Sequence, residues 1–249
     1  THCISSAASD VYKRQVNTQT DRVAADAGNG GVAIVNANGG ALLTIGTQGA
    51  VKGISGAGDI SVTTDGSLKI DQLVKDSTHT HTVSLTATAG AIVDGNTVER
   101  NVQGGTLVAK AAGNIDLDSE VDTLNAEVTD AGNITVREGN AVTARNLKTA
   151  SGNIDLKAGG AVVVGSLDAG SGTIGLHADG AVDDDQDNST LIVADTLNIQ
   201  AAGSVGATGS TSVRHLDTQV NTVNVTAAGE VNLAEVDDLA IGTLETTQG

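Results

Sequence analysis

Apolar residues alternate with polar ones over short runs, and these runs recur with a period of about 20 residues along the chain. Counting from Gly152, the apolar positions are Ile154, Leu156, Val162, Val164 and Leu167. The same offsets from Gly58 give Ile60, Val62, Leu68, Ile70 and Leu73, and from Gly132 they give Ile134, Val136, Val142, Ala144 and Leu147. Residues two apart on a strand share a face, so Ile154 and Leu156 point inward while Asn153 and Asp155 point outward. A 3.6-residue helical stripe does not fit these offsets. The Gly, Asn, Asp and Ala residues between the apolar pairs suit corners, where the chain needs positive φ or close approach.

The motif itself keeps step. GNITV begins at Gly132, GNIDL at Gly152 and GTIGL at Gly172; GNIDL also begins at Gly113 and GDISV at Gly58. One repeat therefore predicts one coil of an all-β, parallel β-solenoid, with about three short strands joined by tight corners. A single coil buries too little to stand alone, so it must stack on a neighbour that hydrogen-bonds every strand. Asn114, Asn133 and Asn153 share a register and are expected to stack as an Asn ladder. A longer unit of about 100 residues overlies the short one: TLVAKAAG from Thr106 matches TLNIQAAG from Thr196, and VNTQTDRV from Val16 matches LDTQVNTV from Leu216.

Residues Ser5–Gln15 read SSAASDVYKRQ and resemble the in-frame translation of a transposon-type sequencing adapter. Residues 1–15 are therefore read as a non-native segment and set aside, leaving 16–249 as one solenoid domain, expected to be an internal piece of a longer protein. Setting them aside removes Cys3 and Tyr12, the chain's only cysteine and only aromatic residue. It leaves 11 basic against 29 acidic residues, a net −18. That balance speaks against nucleic acid, which calls for basic patches, and against adhesion to anionic lipid. No run of 18 apolar residues exists, so no membrane insertion is expected. Loss of Cys3 leaves no disulfide framework.

The [AS]-G-N-I-[DT]-[LV] and A-G-G-A-V units resemble the repeat region of the filamentous-haemagglutinin-like large exoproteins, bacterial adhesins with β-strand repeats, over residues 16–249. The resemblance implies a right-handed parallel β-helix, two-partner secretion across the outer membrane, and roles in cell adhesion or biofilm. The partners it implies are neighbouring repeats of the same longer chain and a host-cell or matrix surface. The repeats match a scaffold, so no functional residue is carried over with them.

Two places break the period with chemistry. Asp183-Asp184-Asp185-Gln186-Asp187-Asn188 inserts where the coil would otherwise continue, and is expected to protrude as a solvated acidic loop. Its alternate carboxylates offer oxygen ligands for Ca²⁺, but the twelfth position from Asp183 is Ala194, where an EF-hand loop needs a bidentate Glu. His79 and His81 alternate and would share one strand face, offering two ligands for Zn²⁺ or Cu²⁺ with no third in the same coil. They are expected to be exposed strand histidines within a Thr-rich strand that includes Thr78, Thr80, Thr82, Thr86 and Thr88. No nucleophile motif such as G-x-S-x-G occurs. The expected site inventory is thus empty: no catalytic residue, no cofactor and no metal ligand. The chain is expected to be a non-enzymatic stalk segment of a secreted, surface-exposed bacterial adhesin. The alternatives are a Ca²⁺-dependent matrix or surface-layer repeat protein, and a β-helix enzyme acting on acidic polysaccharide.

Overall fold

A computed structural model describes residues 4–5, 15–96, 99–206 and 215–247. Most of the segment set aside, residues 1–3 and 6–14, lies outside the described residues, although Ile4–Ser5 pairs with Ala25–Asp26 and Gln15 opens the strand Gln15–Thr18. The chain forms two compact units, Thr1–Asp122 and Thr123–Gly249.

In the first unit three parallel ladders run from coil to coil. One joins Val32–Asn36, Ile60–Thr64, Thr82–Ala87 and the second half of Val102–Ala111. A second joins Leu43–Ile45, Leu68–Ile70 and Ile92–Asp94. The third joins Ile54–Gly56, Val74–Asp76 and the start of Val102–Ala111. Among the described residues of this unit, the exception to parallel pairing is a small antiparallel hairpin, Thr47–Gln48 with Val51–Lys52, turned by Gly49 at φ 59°.

The second unit repeats the plan. Ile134–Glu138, Ile154–Ala158, Thr173–Ala178, the end of Ile192–Ala201, the end of Leu216–Ala227 and Ala240–Thr246 form one parallel ladder. Val142–Ser151, Val162–Asp168 and Val182–Asp184 form another. Ile134, Ile154 and Ile174 stack in register, one motif period apart, as the repeat predicts. In the first unit the coil is longer. Ile60 stacks on Val32 and Val83 on Ile60, and the extra residues are spent in corners.

The alternation places the core. Ile154, Leu156, Val162, Val164 and Leu167 are all buried, as are Ile134, Val136, Val142, Ala144 and Leu147. Asn153 and Asp155 are exposed. Two expectations shift. In the Gly58 coil Leu73 is half-buried and Val74 takes the core position. The corner there is one residue longer: the amides of Asp71 and Gln72 both donate to the Ile45 carbonyl, at 2.9 and 3.1 Å, before the next strand begins. In the second unit the expected second and third strands do not separate. Val142–Ser151 runs on through the corner as one ten-residue strand.

Inward positions are mostly aliphatic, with a few buried Ser and Thr such as Ser119 and Thr218, and polar or charged side chains recur at strand ends. Asn36, Thr64, Asp76, Glu138 and Asp184 each take the last inward position of a strand and are buried. Each side chain then accepts a backbone amide of the adjoining chain: Asn36 from Thr20, Thr64 from Gly66, Asp76 from Thr78, Glu138 from Gly139 and Asp184 from Gln186. A corner leaves the ladder and so strips amides of their cross-coil partners, and a buried amide without an acceptor is costly. At these five strand ends a polar side chain supplies the acceptor from inside.

The Asn ladder is present in the second unit. Asn133 Oδ1 accepts the Asn153 amide at 2.8 Å, and Asn153 Oδ1 accepts the Thr173 amide at 2.8 Å. Each rung is a side-chain oxygen on the next coil's backbone, so the ladder passes to Thr173 without needing a third Asn.

Candidate functional site

The acidic run is folded onto itself. Asp183 and Asp184 lie in the strand Val182–Asp184, and Asp184 points inward and is buried. Only the remainder forms the protruding loop that the sequence predicts, with Gln186 in the left-handed region at φ 68°. The loop's carboxylates accept from the loop itself. Asp184 accepts the Gln186 amide at 2.6 Å, Asp185 accepts the Asp187 amide at 3.1 Å and the Thr190 hydroxyl at 2.9 Å, and Asp187 accepts the Ser189 amide and hydroxyl at 3.0 and 2.6 Å. Burial raises the Asp184 carboxyl above its ordinary value, against the Gln186 amide, and the charges of Asp185 and Asp217 add to the rise. Asp187 is lowered by its two bonds from Ser189. Carboxylates used in this way brace a turn.

The histidines lie in a corner and not on a strand, which corrects the sequence expectation. The strand Val74–Asp76 ends, the chain turns through Ser77–His81 with His79 at φ 59°, and the next strand opens at Thr82. Thr78 and Thr80 belong to this turn, leaving Thr82 and Thr86 on the strand. The organiser is Asp76, whose inward position follows from the alternation with Val74. Its Oδ1 accepts the Thr78 amide at 2.9 Å and hydroxyl at 2.7 Å; its Oδ2 accepts the amides of Thr80 at 2.8 Å and His81 at 2.6 Å. Burial works to raise the Asp76 carboxyl. The bonds from the His81 amide, from the Thr78 hydroxyl and amide, and from the Thr80 amide outweigh it and hold the group well below the usual carboxylate range. The Thr78 hydroxyl proton is committed to Asp76, so His81 Nδ1, 2.7 Å from Thr78 Oγ1, donates to it. His79 Nε2 lies 3.7 Å from Asp122. The two rings thus have separate partners. Among the described residues no group of three or more His, Cys, Asp or Glu is disposed to hold a metal ion.

The third cluster has no counterpart in the sequence reading. In the second unit Arg137 pairs in register with Lys157, and Lys157 with His177. Each stands at the same offset from a repeat glycine, at Gly132, Gly152 and Gly172, and that shared offset is the signal that would have found them. They project from the outer face, since Val136, Leu156 and Leu176 beside them point inward and are buried. Adjacent rungs are therefore about 4.7–4.9 Å apart. The next rung is Gln200, whose Oε1 lies 2.8 Å from His177 Nδ1, while His177 Nε2 lies 3.6 Å from Asp179. The other charged column on this unit behaves differently. Glu127, Lys148 and Asp168 stack with alternating sign, and Lys148 Nζ sits 2.9 Å from Asp168, whose hydrogen bond and charge raise the Lys148 ammonium above its ordinary value.

No helix among the described residues is long and apolar enough to cross a membrane. Compared with protein-family models, with curated proteins and with solved structures, the chain matches none of them.

Proposed function

We propose that this chain is a structural segment of a surface-exposed, secreted protein of adhesin type, a non-catalytic spacer that holds other regions away from the cell. The single observation that supports this reading is the uninterrupted parallel ladder. Within one unit, Ile134, Ile154, Ile174, Leu197 and Val223 stack in register, each buried, with every strand hydrogen-bonded to the coils beside it. Such a repeat gains stability rung by rung and extends by adding coils. The outward faces carry most of the charge while the inward faces are mostly aliphatic, which suits a solvated, extended surface.

The reading is tested by locating the protein in its source cells with an antibody raised against residues 16–249. Recovery from the medium or the outer surface, with sensitivity to protease added to intact cells, is the expected result. Confinement to the cytoplasm would sink the proposal. The Ca²⁺-dependent and polysaccharide-cleaving alternatives predict, respectively, a rise in melting temperature with Ca²⁺ that EDTA reverses, and product release from an acidic polysaccharide. We expect neither.

A further inference from the structure

We propose that Asn38 is a self-modification site, where attack by the Gly39 backbone nitrogen expels the side-chain amide as ammonia and leaves a carboxylate beside Asp21. The inference does not depend on the stalk reading. Asn38 follows the strand Val32–Asn36, in a corner that turns through Gly39 and Gly40 at φ 65° and 79°. Gly39 is exposed, and no heavy atom lies within 4 Å of where a Cβ would stand, so there is room for a succinimide ring. Its N–H makes no hydrogen bond among the described residues. The other Asn-Gly pair of the chain, Asn29-Gly30, is held differently: the Gly30 amide donates to the Ala27 carbonyl at 3.0 Å. An amide engaged in a turn must break that bond before its nitrogen can attack, and a free one need not.

The step needs water and no redox partner. The Gly39 nitrogen loses its proton and bonds to Asn38 Cγ, the Cγ–Nδ2 bond breaks, and Nδ2 departs with that proton as ammonia. Water then opens either C–N bond of the succinimide, giving aspartate or isoaspartate at position 38. The neighbours set the consequence. Asn38 Nδ2 donates to Asp21 Oδ1 at 2.6 Å, and the Asn38 backbone amide donates to Asp65 Oδ1 at 3.0 Å. An amide nitrogen donates, whereas a carboxylate only accepts. After the reaction a carboxylate faces Asp21 where a hydrogen bond stood, and like charges at contact repel. Arg22, next to Asp21 in the chain, lies 3.7 Å from Asp71 and is drawn to that acid instead. The isoaspartate product also adds a backbone carbon to a corner whose strand is paired in register on both sides. The exposed bond from Asn38 to Asp21 restrains the side chain until it opens. The result is a slow, one-way loosening of this corner.

The test is incubation of the full chain at mildly alkaline pH, followed over time by peptide mass spectrometry and an isoaspartate assay. The mass gain of deamidation is expected at residue 38 at least fivefold faster than at residue 29. In urea the two sites should react at similar rates, because unfolding frees the Gly30 amide. No gain at residue 38 would overturn the proposal. So would an equal or faster gain at residue 29 in the folded chain, or a ranking that persists in urea. Asn38→Asp reads the consequence: it should lower the melting temperature by several degrees. Made in an Asp21→Asn background, the same change should cost little relative to Asp21→Asn alone. A melting temperature equal to that of the wild type, or the same loss in both backgrounds, would refute the clash with Asp21. The rate comparison uses the unaltered chain, so it stands even if a variant does not fold.

Discussion

At the scale of single residues, one rule governs this protein: the direction a side chain faces decides what it costs to change. Ile154 is buried among aliphatics, and Asp155 beside it is exposed. Ile154→Asp should cost more than about 4 kcal/mol, because it strands a charge without a partner. Asp155→Asn should stay within about 0.5 kcal/mol. Urea unfolding of both variants checks this, and equal effects would refute the in/out assignment. The buried corner carboxylate is the instructive exception. Asp76 is inward yet charged, and its charge is held by four donors. Asp76→Asn should cost about 2–3 kcal/mol near neutral pH. Because folding lowers the Asp76 pKa below its usual 3.8, its stabilisation is fully present above about pH 4 and is lost as pH falls below that value. The unfolding free energies of wild type and Asp76→Asn should therefore converge as the pH drops toward about 2. Parallel curves across that window would show that the carboxylate's charge is not what holds the corner.

At the scale of the coil, glycine does two different jobs that the motif alone does not distinguish. Gly152 and Gly172 open successive coils, and neither has positive φ. A Cβ at Gly172 would overlap the Gly152 carbonyl oxygen, and one at Gly152 would overlap that of Gly132. Their role is close backbone approach from coil to coil. Gly170 is the opposite case, with φ 54° and open space around it. Gly172→Ala should thus cost at least about 2 kcal/mol, since backbone must move. Gly170→Asn should cost under about 1 kcal/mol, because Asn tolerates the left-handed region. Thermal melts of the two variants order them, and a greater loss at Gly170 would reverse the assignment.

At the scale of the whole molecule, stacking sets what each unit can do. Every coil is stabilised by its neighbours, so the outermost described strand, Ala240–Thr246, pairs on one side with Leu216–Ala227 and leaves Ile241 60% and Leu244 52% exposed. An unpaired strand edge with exposed aliphatics templates further pairing. Residues 16–249 produced by themselves should self-associate with rising concentration. Ile241→Lys combined with Leu244→Lys should suppress that association with little loss of stability, as sedimentation velocity would report. Unchanged association in the double variant would place the contact elsewhere.

The period-two alternation, repeated once per coil, was enough to predict a parallel solenoid and nearly all of its core, because burial on a strand depends only on which face a residue takes. Leu73 escaped this reading because its corner holds one more residue than the repeat allows. The histidines escaped it because Asp76, an inward acid, ends its strand and turns the chain before His79. The alternation as read from the sequence takes Leu73 as inward, which turns Val74 and Asp76 outward, so the inward acid emerges only with the longer corner. What only the tertiary structure decided is which residues meet across coils. Arg137, Lys157 and His177 lie a full coil apart in sequence but on adjacent rungs in space. Asn133 and Asn153 stand in the shared register the sequence predicts, and the structure adds that each side-chain oxygen binds the backbone amide of the coil that follows. Alternation along a strand is a local property of the backbone, whereas a neighbour across the ladder is set by register and corner length, which are resolved only when the coils stack.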